Sequence, residues 1–119
     1  AKQIDQFAEI SGDYAALHMG DTAAKKRGFR GRVVHGVLLT GFLSKLVGMH
    51  LDQENELLVS MNVKFVNPSY VGDKLDISAI VDQVSEFTNS IVLKAKIEIK
   101  GSQMVILNGK LIVSFDLKI

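Results

Sequence analysis

Four segments in the second half of the chain alternate between apolar and polar residues, and they constrain the fold more than any other feature. They span 59–65, 75–82, 91–99 and 105–117. Because successive side chains of a strand point to opposite faces, each segment predicts a strand with one apolar face. The connections at Asn67-Pro68, Phe87-Thr88-Asn89 and Gly101-Ser102 are too short for crossover helices. We therefore predict a mainly antiparallel sheet that is covered on one side.

The cover for this sheet is predicted to be a helix over 36–50. Apolar residues surround its axis at Val37, Leu38, Leu39, Phe42, Leu43, Leu46, Val47 and Met49, a pattern typical of a buried helix. Gly41 and Gly48 each cost about 1 kcal/mol of helix stability, which we expect a closely packed covering layer to offset. A buried helix that precedes a long antiparallel sheet predicts an α+β hot-dog fold, in which the sheet wraps around the helix.

The first part of the chain predicts short helices and a basic loop. Residues 4–10 form an amphipathic pattern that closes at Ser11-Gly12, and Asp21 is placed to cap a second helix over 21–26. Five cations at Lys25, Lys26, Arg27, Arg30 and Arg32 follow. This loop would either meet the phosphates of a ligand or form a solvated surface.

Composition excludes several classes of protein. The chain of 119 residues predicts one domain over 1–119, and it has no cysteine, which excludes disulfides, thiolate catalysis and cysteine-based zinc sites and favours a cytoplasmic location. A net charge of +1 argues against a nucleic-acid partner. The apolar stretch 37–51 is too short and too interrupted to cross a membrane.

Asp13, His18 and Gly36 are the residues on which catalytic chemistry could rest. A carboxylate and an imidazole five residues apart can move the protons of a water molecule. Gly36 begins the apolar helix, where the first N–H groups lack intrahelical partners and can stabilise an oxyanion. From the residues alone, Asp13 could equally cap the turn after Gly12, and His18 could be a partly buried hydrogen-bonding residue. Gly36 could likewise be an ordinary start of a helix.

The chain resembles the MaoC-like, (R)-specific enoyl-CoA hydratases of the hydratase 2 group, from about residue 4 to the C-terminus. Their motif reads roughly Gly-Asp-x-Asn-Pro-hydrophobic-His, and the shared residues are Gly12, Asp13, Leu17, His18, His35, Gly36, Ser44, Pro68, Gly72 and Asp73. Three features depart from the family pattern. Ala15 and Ala16 replace the Asn-Pro pair, Gly20 replaces a frequent acidic residue, and the usual N-terminal strand is absent from this sequence.

The resemblance implies reversible hydration of trans-2-enoyl thioesters to (R)-3-hydroxyacyl thioesters, a lyase reaction of fatty acid metabolism. Asp13 and His18 would hold a water, Gly36 would bind the thioester oxygen, and Ser44 would lie near the water. His35 would shape the turn before Gly36, with substrate contact as a lesser alternative. No metal and no cofactor are expected beyond coenzyme A or an acyl-carrier protein as the substrate carrier.

Two other functions are compatible with the sequence. A hot-dog thioesterase usually needs a carboxylate near the central helix, and residues 37–49 contain none. A non-catalytic acyl-thioester binding module would explain Ala15 and Ala16, although it would not need Asp13 and His18. For Ser44, a hydroxyl bonded back to the helix is as good an interpretation as a catalytic one. We also expect a homodimer or higher homo-oligomer, because hot-dog proteins resemble one another in pairing their sheets edge to edge.

Overall fold

The computed structural model describes residues 1–51 and 55–115. The helices are α1 (Lys2–Ser11), α2 (Ala16–Met19), α3 (Asp21–Lys26) and α4 (Gly36–His50), and the strands are β1 (Glu56–Phe65), β2 (Leu75–Ser85), β3 (Ser90–Ile99) and β4 (Val105–Phe115). All the predicted helices and strands are present, and α2 is an additional helical turn that the sequence did not indicate. The last two residues of the predicted fourth strand, at 116–117, lie outside the described residues.

The four strands form one antiparallel sheet in the order β1-β4-β3-β2, which confirms the predicted pairing. The alternation is interrupted by register shifts in β1, between Leu58 and Ser60, and in β2, between Val81 and Gln83. A bulge adds one residue to its strand and changes which face the following side chains occupy. Val59, predicted to face the core, is accordingly 45% exposed, whereas its neighbour Leu58 packs against the core.

The core lies between α4 and the concave face of the sheet. Leu39, Leu43 and Val47 of α4 are nearly inaccessible to solvent. They pack against buried residues of β3 and β4, namely Leu93, Ala95, Ile97, Ile106, Leu107, Leu111 and Val113. A sheet that packs around a central helix confirms the predicted hot-dog fold.

Within this chain, α4 is covered on one side only. Val37 is 63% exposed and Met49 is 57% exposed, so the prediction of a helix buried all round was wrong for the single chain. A Cβ atom built on Gly41 or Gly48 would meet nothing within 4 Å. The close covering layer that we expected to explain these glycines is therefore not supplied by the described part of this chain.

The start of α3 differs from the prediction in one detail. Gly20, in an extended conformation, occupies the N-cap position, and Asp21 is the first helical residue. The Asp21 carboxylate instead accepts a hydrogen bond from the backbone N–H of Arg32, at 2.9 Å. Among the described helices, none is long and apolar enough to span a membrane.

Replacing Leu43 by alanine should lower the free energy of unfolding by about 2–5 kcal/mol, because it opens a cavity at the centre of the core. Lys45→Ala is the matched control, since Lys45 lies on the exposed side of the same helix and its loss should change stability by less than about 0.5 kcal/mol. Urea denaturation followed by circular dichroism measures both. Equal effects of the two substitutions would contradict this placement of α4.

Candidate active site

The loop after α1 presents the Asp13 carboxylate at the surface. Gly12 ends α1 in the left-handed region, at φ 77°, and its N–H bonds to the carbonyl of Ala8. The Asp13 N–H then donates to Ser11 Oγ at 3.1 Å, and Asp13 Oδ1 accepts from the Ala15 N–H at 3.1 Å. The carboxylate therefore stabilises its own turn and also remains exposed to a reactant.

His18 is held on α2 by its contacts with the segment that precedes α4. Its Nδ1 lies 2.6 Å from the carbonyl oxygen of Val33. Because a carbonyl can only accept, Nδ1 donates, which leaves Nε2 of a neutral imidazole available as a proton acceptor. The Val33 N–H donates in turn to the carbonyl of Leu17 at 3.0 Å. These two bonds hold α2 against the segment before α4 and set the direction of the ring.

Arg32 anchors the same histidine through the main chain. Its Nε donates to the carbonyl of His18 at 2.7 Å, and its guanidinium pairs with Asp5 of α1 at 2.6 Å. The sequence grouped Arg32 with a basic loop, but the structure shows it binding α1 to α2. No pattern in the sequence links Arg32 to Asp5 or to His18, so its role could not be identified from the sequence.

His35 lies beneath the predicted catalytic pair. It is 2% exposed, and its Nε2 donates to the main-chain oxygen of Asp13 at 3.0 Å. Its ring stacks on the ring of His18, with centroids 4.0 Å apart and planes 23° apart, and Phe7 packs against it at 4.8 Å. The sequence did not indicate this contact with Phe7 or the stacking of the two histidines.

The structure brings Asp13, His18 and His35 together. One carboxylate oxygen of Asp13 and one ring nitrogen of each histidine lie within 4.8 Å of one another. The lone pairs of stacked imidazoles lie in nearly parallel planes and do not converge on a single point, so this geometry disfavours a shared metal ion. The cluster suits a small polar reactant that bridges a carboxylate and an imidazole, such as a water molecule.

Gly36 is among the residues that line an apolar cavity of about 430 Å³. Phe29, Val37, Phe65 and Val66 line it as well. A Cβ atom at position 36 would lie 2.8 Å from the Phe65 ring, so only glycine lets that ring approach the start of α4 undisturbed.

Ser44 is exposed on α4, and in the described parts of the chain it makes no hydrogen bond to the other predicted site residues.

Three of the five loop cations are engaged within the chain. Arg32 binds His18 and Asp5, as described above. Arg30 pairs with Asp73 at 3.1 Å and lies over the ring of Tyr70. The guanidinium of Arg27 lies 5.9 Å from the centroid of the Phe29 ring.

Comparison with known proteins gives a consistent picture. The family model of the MaoC-like domain matches residues 1–102. The (R)-specific enoyl-CoA hydratase of Aeromonas caviae is 26% identical over 106 residues, which cover 89% of this chain and 79% of that protein. A mitochondrial 3-hydroxyacyl-[acyl-carrier-protein] dehydratase of Arabidopsis thaliana is 28% identical over 114 residues, covering 92% of this chain and 66% of that protein.

A solved structure shows the same arrangement of elements. The (R)-hydratase from A. caviae involved in PHA biosynthesis superimposes with a TM-score of 0.90 at 26% identity, over 97% of this chain and 86% of that chain. The matched part of the chain thus covers between 66% and 86% of the relatives described here.

Proposed function

The chain belongs to the family of MaoC-like domains, and we propose that it catalyses the reversible hydration of trans-2-enoyl thioesters to (R)-3-hydroxyacyl thioesters. The observation that carries this proposal is the meeting of the Asp13 carboxylate with the two histidines at the site, within 4.8 Å. The names of the relatives, hydratases and dehydratases that work on enoyl-CoA, hydroxybutyryl-CoA and hydroxyacyl-carrier substrates, support the same reaction.

In this proposal, Asp13 and His18 bind one water molecule and transfer its protons. The water oxygen bonds to C3 of the substrate, and one water proton passes to the pair. One proton is returned from the pair to C2, so that all atoms of the water are added across the double bond. Nε2 of His18 is the ring nitrogen that exchanges the proton, because Nδ1 is hydrogen-bonded to the carbonyl oxygen of Val33. Dehydration is the same sequence in reverse.

Gly36 supplies the donor for the thioester oxygen, on which negative charge accumulates as the enolate forms. Its N–H is the first of α4, at the positive end of the helix dipole. Apolar residues line the cavity around it, and an interaction of this kind is stronger where water is excluded. The substrate carrier is coenzyme A or an acyl-carrier protein, and no further cofactor is needed for the addition of water.

Replacing Asp13 or His18 by asparagine should lower kcat by roughly 10²–10⁴-fold in each case, because each removes one proton-transferring group. The measurement is the loss of the absorbance of the conjugated enoyl thioester in crotonyl-CoA, with circular dichroism to establish that both variants are folded. Native activity in either folded variant would contradict the assignment. Release of free thiol by the native protein would instead indicate a thioesterase.

The N–H of Gly36 can be tested by comparing two substitutions. Gly36→Pro removes the donor, and proline is well tolerated at the first position of a helix. His35 already has the extended backbone that a following proline requires, at φ −57° and ψ 126°. Gly36→Ala is the control, because it adds the same Cβ atom against Phe65 but keeps the N–H.

The proline variant should lose a further factor of roughly 10²–10³ in kcat relative to the alanine variant, the usual effect of removing an oxyanion donor. The same crotonyl-CoA assay measures both. Equal rates in the two variants would show that this N–H does not bind the thioester oxygen.

We further propose that the protein is a homodimer. The described sheet ends at β2, and this edge strand carries the exposed apolar residues Ile80, Val81 and Val84. Open apolar edges need a cover, and a second copy of the chain that extends the sheet would supply it. Light scattering at micromolar concentration should give twice the mass of the chain, and a monodisperse monomer would contradict the proposal.

Several expectations stay predictions. They are the metal-free site, the role of Ser44 near the water, the contact of the remaining loop cations with phosphates, the cytoplasmic location and the place in fatty acid metabolism.

A further inference from the structure

We propose that His35 is a positioning residue that holds both members of the catalytic pair in one geometry. The proposal rests on the proposed function, since it assigns a task to the residue beneath Asp13 and His18. It differs from the expectation from sequence, in which His35 shaped the turn or contacted the substrate. At 2% exposure the ring has no access to a reactant, so any influence on the reaction passes through its neighbours.

The first contact of His35 fixes the aspartate. Its Nε2 donates to the main-chain oxygen of Asp13, at 3.0 Å, across 22 residues of sequence. Asp13 belongs to the short loop between α1 and α2, in which Ala15 precedes Ala16 at the start of α2 and no proline makes the turn rigid. The other hydrogen bonds of Asp13 are local, to Ser11 and Ala15. The bond from His35 therefore ties this loop to the start of α4.

The second contact of His35 fixes the histidine. The bond from His18 Nδ1 to Val33 sets the direction of the ring, but it leaves the ring free to rotate about that bond. The face of His35, 4.0 Å away and nearly parallel, removes this freedom. Phe7 packs on His35 at 4.8 Å and supports the stack from α1.

A histidine meets both requirements with one small ring. Phenylalanine offers a flat face but no donor for the Asp13 carbonyl, and glutamine offers a donor but no ring. A residue that served only for packing would not need a buried polar nitrogen, yet Nδ1 of His35 is buried and has no partner within the described residues. Leaving such a group unpaired is unfavourable, so the other contacts of the imidazole must offset this cost.

The test compares three variants in the crotonyl-CoA assay. His35→Phe keeps the stack and loses the donor, His35→Gln keeps the donor and loses the stack, and His35→Ala loses both. Because small misplacements of reacting groups are costly to the chemical step, kcat per folded molecule should fall by about tenfold in each of the first two variants and by about 10²-fold in the third. KM should stay within about twofold of the native value, since substrate binding is not affected.

Val113→Ala is the matched control for a purely structural effect. It removes part of a fully buried side chain from β4, which pairs there with Leu58 and Ile91 and carries none of the site residues. Its kcat per folded molecule should therefore equal that of the native protein. If the folded His35→Phe and His35→Gln variants keep kcat within about twofold of the native value, the positioning role is wrong.

A second measurement separates this proposal from the proposed function. The ¹³C relaxation of the His18 ring, recorded by NMR, should show a rigid ring in the native protein and faster ring motion in His35→Gln, in which the bond to Val33 remains but the stack is lost. Equal ring motion in both proteins would overturn the role of the stack. Absence of hydratase activity in the native protein would refute the proposed function alone, because the comparison of ring motion does not depend on activity.

Discussion

The site depends on a short extended segment, Val33–His35, which forms hydrogen bonds on both sides. Val33 donates to Leu17 and accepts from His18, and the Val34 N–H donates to the carbonyl of Ser69 in the loop between β1 and β2. The side chain of His35 then reaches Asp13. Groups that lie 22 residues apart in sequence are thus brought to one place by a single stretch of backbone. If this segment moved, the carboxylate, the imidazole and the helix N-terminus would separate.

The hydrophobic core fixes that segment in turn. His35 is the last residue before α4, and α4 is held against the sheet by Leu39, Leu43 and Val47. Because the interior is closely packed, a helix seated in this way cannot slide along its axis without opening voids. The position of the Gly36 N–H is therefore set by packing that lies one to three turns away. The rigid part of the fold thus presents the Gly36 N–H, the proposed oxyanion donor, and the exposed loop presents the Asp13 carboxylate.

Much of this architecture could be predicted from the sequence, because it follows from periodicity. The alternation in β2, β3 and β4 and the apolar pattern of residues 36–50 each depend on neighbours within one element. Asp13, His18 and Gly36 could be selected by their chemical types and by their spacing. The bulge at Val59 could not, since it depends on how β1 pairs with β4, and neither strand indicates it alone.

The contacts of His35 with His18 and Asp13 were not predictable for a related reason. They join three separate elements, and no period in the sequence links positions 13, 18 and 35. The same holds for Arg32, whose ion pair with Asp5 spans 27 residues. Charge composition placed it among surface cations, whereas only the packing of α1 against α2 shows that it is part of the support of the site.

In the single chain the site is open to solvent, and this links the proposed reaction to the proposed dimer. Asp13 is exposed, Val37 beside Gly36 is 63% exposed, and α4 is covered on one face only. An oxyanion donor contributes most in a surrounding of low dielectric constant, and water that enters freely would weaken it. A second copy of the chain that covered the free face of α4 would bury this apolar surface and exclude bulk water from the cavity at Gly36. The proposed dimer would then serve the proposed reaction as well as stability, because the fold of one chain brings the proposed catalytic groups together but leaves them in contact with solvent.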